Sequence, residues 1–140
     1  MNVVRIAELR DTPLSVDEIR VAVADPGAGG IALFVGTVRD HDGPREVTRL
    51  SYSAHPSAAV ELQIMAEKVA ADFDVRALAA VHRVGELAVG DLAVVVAVAC
   101  PHRGEAFQAC RTLIDNLKHG VPIWKEQHFS DGTSEWVASA

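Results

Sequence analysis

The segment that most restricts this chain is Leu92-Ala93-Val94-Val95-Val96-Ala97-Val98-Ala99-Cys100, an unbroken apolar run stopped by Pro101. It is far too short to cross a bilayer, which takes roughly 20 residues of helix. Rich in β-branched valine and ended by a proline, it reads as a strand. Val75 to Val84 reads as another, linked to the first through Gly85-Glu86 and Gly90-Asp91. Such strands have to be covered by helices or by other strands.

Three segments have the pattern of covering helices. In Leu14-Ser15-Val16-Asp17-Glu18-Ile19, Ser15 can cap, Glu18 can complete a capping box, and Leu14 can staple against Ile19. This helix should end near Asp25-Pro26-Gly27, before Gly29 and Gly30. A second helix is expected from His55-Pro56, with Pro56 at its first position, to about Phe73, with Leu62, Met65, Val69 and Phe73 on its apolar side. A third should run from Glu105 to about His119, with Phe107, Cys110, Ile114 and Leu117 lining one face and Gly120 as its stop.

Further strands complete the order. Residues 2 to 9 suit an edge strand, and Ile31 to Val38 a buried one. Asp40-His41-Asp42-Gly43-Pro44 is a turn or mobile loop. Val47 to Ala54 alternates, with Leu50, Tyr52 and Ala54 on one side. Val121 to Lys125 leaves the last helix extended, and Asp131-Gly132 turns the chain into a short strand around Trp136. Runs of adjacent strands favour an α+β fold with a mixed or antiparallel sheet and flanking helices over a doubly wound one. At 140 residues, a single domain over 1–140 is expected.

The formal charge of -6 disfavours nucleic acid or an anionic membrane as the main partner. It also makes local basic residues informative. Only Lys68, Lys118 and Lys125 are lysines. Arg5 and Glu8 interrupt the N-terminus before a signal-peptide core can form, so a cytoplasmic protein is expected. Cys100 and Cys110 have no C-x-x-C or zinc spacing and read as small buried thiols. The six histidines are scattered without ligand spacing, so neither a metal nor a cofactor is expected.

Basic residues gather where elements end. Arg39 follows the strand ending Gly36-Thr37-Val38. Pro101-His102-Arg103-Gly104 lies at a strand-to-helix junction, where first-turn N–H groups would face an anion and Arg103 could grip it with two bonds. Lys118 and Lys125 flank His119-Gly120-Val121-Pro122-Ile123-Trp124. Each also has a plain structural explanation, since Lys118 complements a helix dipole and the others can be solvated surface groups. No P-loop, G-x-S-x-G or H-E-x-x-H pattern competes.

At these segments the chain resembles the large subunit of molybdopterin synthase, the MoaE family. Four pieces carry the resemblance in order: Phe34-Val35-Gly36-Thr37-Val38-Arg39; Val81-His82-Arg83-Val84-Gly85; Pro101-His102-Arg103; and Leu117-Lys118 followed by Val121-Pro122-Ile123-Trp124-Lys125-Glu126. The resemblance implies an α/β hammerhead-type fold and a homodimer. It implies that each copy binds a small ubiquitin-like sulfur-carrier subunit, whose C-terminal Gly-Gly bears a thiocarboxylate, in a heterotetramer. The reaction implied is sulfurtransferase chemistry, in which cyclic pyranopterin monophosphate receives two sulfurs and becomes the dithiolene of molybdopterin. The catalytic lysines then fall on Lys118 and Lys125, and the substrate-binding residues on Arg39, His102 and Arg103. A longer basic tail reaching toward the neighbouring subunit is also implied. This chain instead stops at Trp136-Val137-Ala138-Ser139-Ala140, so Arg45 or Arg49 is the candidate substitute cation.

Two other readings compete with a sulfur-transfer enzyme. One is a non-enzymatic module that binds a phosphate ligand or a ubiquitin-like protein. The other is a structural oligomer whose junction residues only cap elements. The enzyme reading requires Arg39, His102, Arg103, Lys118 and Lys125 to converge on one pocket.

Overall fold

A computed structural model describes residues 2–138; Met1 and the tail residues Ser139 and Ala140 lie outside the described residues. The element order is β1 (Val4–Arg10), α1 (Val16–Ala22), β2 (Gly30–Thr37), β3 (His41–Asp42), β4 (Arg45–Ala54), α2 (Ala58–Asp72), β5 (Ala77–Arg83), β6 (Gly85–Ala88), β7 (Leu92–Cys100), α3 (Arg103–Gly120), β8 (Ile123–Phe129) and β9 (Ser134–Val137). The fold is α+β, with two sheets and three flanking helices.

The first sheet has the strand order β1-β5-β7-β2. β1 runs parallel to β5, whereas β5–β7 and β7–β2 are antiparallel, so this sheet is mixed. Its central strands are buried on both faces, which explains their near-continuous apolar sequence. Period two divides their side chains. Ala77, Ala79, Val81, Val95, Ala97 and Ala99 pack toward Ile19 of α1. Leu78, Ala80, Val94, Val96, Val98 and Cys100 pack with buried residues of α2 and α3. The small alanines let helices close on both sides.

The second sheet is antiparallel, in the order β3-β4-β8-β9, with β6 also pairing β4. β6 occupies what the sequence presents as a link. Its four residues pair with Arg49–Tyr52, and Gly85 enters it with φ +94, a conformation that favours glycine. The expected turn after Arg39 contains the short strand β3, reversed at Gly43 with φ +59.

Four local expectations change. Ser15 caps α1 by accepting from Glu18 N at 3.2 Å, but the Glu18 carboxylate turns to Arg10 at 2.6 and 3.0 Å, so the capping box is half formed. α2 starts at Ala58, after Pro56, because His55 Nδ1 accepts the Ser57 N–H and holds the preceding turn. β2 is an edge strand, leaving Ile31, Leu33 and Phe34 exposed rather than buried. Phe107 lies at the margin of the α3 stripe, 65% exposed beside Leu33 and Phe34, while Cys110, Leu113, Ile114 and Leu117 take the core face.

Candidate functional site

The two sheets and the end of α3 enclose a cavity of about 380 Å³. Three of the five basic residues singled out in the sequence line it: Arg39, Lys118 and Lys125. Arg39 follows β2, where Val38 is anchored by its N–H to Asp91 O at 3.0 Å. Lys118 lies in the last turn of α3, directly after buried Leu117, where a cation also complements the helix dipole. Lys125 comes from β8, opposite Tyr52 of β4. Elements distant in sequence are thus needed to assemble the three charges.

Burial is the largest cause lowering the Lys125 pKa from its ordinary 10.5, followed by the positive charges of Lys118 and Arg39. Asp42 opposes the shift. Its carboxylate stands 3.9 Å from Arg39 and accepts from the buried Gln127 amide at 3.0 Å. The pocket therefore holds several cationic donors with one carboxylate at its rim. Such a site can bind an anion and can hold one amine closer to neutrality than a solvated lysine.

His102 and Arg103 do not join this cavity within one chain. They line a separate hollow at the start of α3 with Gly29, Pro101 and Gly104. Gly29 is required there, since a Cβ would collide with Pro101 O. His102 is the N-cap residue of α3 and makes no side-chain cap bond, so its ring satisfies none of the first-turn N–H groups. Convergence of all five residues inside one chain is thus not what the fold produces, because β7 and α3 carry the 101–104 junction to the opposite end of α3 from Lys118.

Arg45 and Arg49 are not cavity residues either. Arg45 stacks on Phe129 at 3.5 Å and donates to Thr133 at 2.7 Å. Arg49 pairs with Glu86 at 2.9 Å. Arg49 lies on the face of β4 opposite Leu50 and Tyr52, whereas Arg45 is held at Phe129, beyond the cavity residues of β8, so each has a partner on the second sheet.

Sequence reasoning passed over Tyr52, His82 and Gln127, which also line the cavity. The signal for His82 was present: a histidine ends the otherwise apolar stretch Ala77–Val81. Its pKa is pushed down to about 4, chiefly by burial. Burial likewise pushes the Tyr52 phenol up to about 12 and the Cys110 thiol up to about 11. Cys100 is also raised, so neither buried cysteine is a ready thiolate nucleophile. Among the described residues, no group of His, Cys, Asp and Glu side chains is placed to hold a metal ion, and no helix is long and apolar enough to cross a membrane.

The sequence is 48% identical over 131 residues to molybdopterin synthase catalytic subunit 1 of Mycobacterium tuberculosis, covering 92% of this chain and 88% of that protein. Its structure matches molybdopterin synthase from Staphylococcus aureus with a TM-score of 0.86 at 30% identity, covering 93% and 95% of the two chains. A protein–protein complex of subunits 1 and 2 of the molybdopterin-converting factor from Helicobacter pylori shares the fold, with a TM-score of 0.70 at 20% identity over 98% and 90%. The profile of the family described as MoaE protein matches residues 9–120. The chain belongs to the MoaE protein family.

Proposed function

We infer that this chain is the catalytic subunit of a molybdopterin synthase, a sulfurtransferase of molybdenum cofactor biosynthesis. The observation that carries the reading is the meeting of Arg39, Lys118 and Lys125 in one cavity of about 380 Å³, in a chain with only three lysines. That volume lies in the range that takes a small molecule. Cyclic pyranopterin monophosphate is such a molecule, and its phosphate suits the planar fork of Arg39.

Sulfur would arrive as the C-terminal thiocarboxylate of a small ubiquitin-like carrier, whose Gly-Gly tail is narrow enough to reach a recessed amine pair. Each transfer forms a C–S bond at a carbon of the pterin side chain while a C–O bond of that carbon breaks, its oxygen leaving as water or with the freed phosphate, and the acyl C–S bond then breaks. Water then leaves the carrier as a carboxylate. Lys125, with its lowered pKa, is suited to moving protons. Lys118 is suited to stabilising the negative charge that develops on the acyl oxygen. No cofactor is needed for this exchange.

His102 and Arg103 are assigned to binding the substrate anion from their own hollow. In the homodimer implied by the resemblance, a second copy can bring that hollow against the cavity. One carrier on each copy then makes a heterotetramer. The reading places the reaction in the cytoplasm, where two free thiols such as Cys100 and Cys110 stay reduced.

The direct test mixes purified protein with thiocarboxylated carrier and cyclic pyranopterin monophosphate. Dithiolene formation is expected, and its absence with the wild-type protein overturns the reading. Full product from a Lys118→Ala, Lys125→Ala double variant removes the catalytic assignment.

A further inference from the structure

Gln127 is a buried polar residue of the cavity to which the chemistry above gives no part. It is 7% exposed and sits in β8 between two partner strands, opposite Leu50 of β4 and Glu135 of β9. Ladders on both sides hold its backbone in place. Period two turns its side chain to the same face of the sheet as Lys125. A primary amide so deeply buried is unfavourable unless its N–H groups find acceptors.

The acceptor comes from 85 positions away in the chain: Gln127 Nε2 donates to Asp42 Oδ2 at 3.0 Å. The other carboxylate oxygen, Oδ1, lies 3.9 Å from the Arg39 guanidinium, too far for a hydrogen bond. With the two side chains 65% and 42% exposed, that ion pair is a weak anchor for Asp42. Its backbone is lightly held as well. Asp42 belongs to the two-residue edge strand β3, which pairs with β4 and turns at once through Gly43. The amide of β8 is therefore the firm hold on this carboxylate. Its placement matters because of the charges around it. Lys118 and Arg39 disfavour the ammonium form of Lys125, and Asp42 favours it. Tyr52, His41 and His82 are the remaining titratable side chains that line the cavity. A carboxylate swung out into solvent would leave three cations facing one another.

We propose that Gln127 is a positioning residue: its amide holds one oxygen of Asp42 so that the carboxylate stays at the cavity rim, its charge shared between Arg39 and Lys125. The inference rests on the molybdopterin synthase reading for the reaction it serves, while the placement of the charge belongs to the protein without substrate. Through that charge Gln127 sets the pH at which Lys125 becomes a base. It also keeps Asp42 out of a tight pair with Arg39, whose donors stay open to the substrate anion.

A double-variant cycle separates positioning from packing. Gln127→Met keeps the length and packing of the side chain and removes the donor. Positioning predicts that the titration midpoint of the Lys125 ε-carbon signal falls in this variant, by at least about half of the fall in Asp42→Asn. Made on top of Asp42→Asn, the same change should add less than about a fifth of that fall, since no charge remains to be misplaced. The pH at which kcat rises should move down with the midpoint. A packing role moves neither. A Gln127→Met protein with the wild-type midpoint, or a shift that persists in full beside Asp42→Asn, overturns the proposal.

The wild-type protein supplies a measurement that needs no variant to fold and no turnover. The side-chain amide ¹⁵N signal of Gln127 should follow the protonation of Asp42 on acid titration, because that carboxylate is its acceptor. An amide signal indifferent to Asp42 protonation sinks the proposal. If wild-type protein transfers no sulfur, the functional reading falls while these titrations still decide the role of Gln127.

Discussion

Lys125 stands directly opposite Tyr52 across the antiparallel β4–β8 ladder, which puts amine and phenol on one face of the second sheet. The phenol meets His82 in turn, with ring centroids 4.7 Å apart. With its pKa pushed up to about 12, Tyr52 stays uncharged near neutral pH and contributes no negative charge to hold the ammonium form. Lys125 is thus desolvated without compensation from its nearest cross-strand partner. Its carboxylate support comes from Asp42 at the rim.

The titration of Lys125 follows from that arrangement. Its ε-carbon NMR signal should titrate with a midpoint below 10.5. Asp42→Asn should lower the midpoint further, because the carboxylate is the neighbour that raises it. If the neutral amine is the base in sulfur transfer, the rate should climb with pH through the same midpoint, and the limb should move down in Asp42→Asn. An unmoved signal in that variant contradicts the assignment.

Arginine at position 125 separates charge from proton transfer. Its guanidinium keeps a positive charge but does not give up its proton. Lys125→Arg should bind inorganic phosphate within about threefold of wild type by calorimetry, yet turn over about 100-fold or more slowly. Unchanged turnover would leave Lys125 only a binding role.

Complementation tests whether the two basic hollows meet across protomers. Arg103→Ala and Lys125→Ala proteins should each be nearly inactive alone. Coexpressed in equal amounts they form mixed dimers in half the population, each with one intact site if the residues act across the interface. Activity should then return to about one quarter of wild type. No recovery in verified mixed dimers points to a site built from one chain.

Acid should destabilise the fold through His82. The unfolded ring titrates near its ordinary 6.5, and the folded ring at about 4. Between these values the unfolded state binds a proton that the folded state does not. Stability is therefore full above about pH 6.5 and is lost as pH falls toward about 4, by on the order of 3 kcal/mol. Urea unfolding at pH 7 and pH 4.5 should show this loss in the wild type. It should be largely absent in His82→Phe.

Gly36 brings β2 against β7 beside the cavity. A Cβ there would lie 2.7 Å from Val94 Cγ1, closer than packed atoms tolerate. Gly36→Ala should cost about 1–3 kcal/mol of stability by urea denaturation. Adding Val94→Ala should return part of that loss, since the methyl then fills space the valine vacates. Independent, additive losses would show that the two residues do not compete for the same volume.

What could be read directly from the residues was local. Valine-rich runs marked β5 and β7, Ser15 marked the start of α1, and Cys110, Ile114 and Leu117 marked the buried side of α3, because backbone preference and side-chain period act over a few positions. The MoaE motifs added which basic residues to watch. Folding decided the rest. Strand order left β2 at an edge with Phe34 and Phe107 uncovered, and β4 took β6 on one side and β8 on the other. Register then set Lys125 opposite Tyr52, whose ring meets His82, while the length of α3 carried His102 and Arg103 away from Lys118. These outcomes depend on which sheet edges pair and which faces a helix covers, choices made by packing across the whole chain and therefore absent from any short window of it.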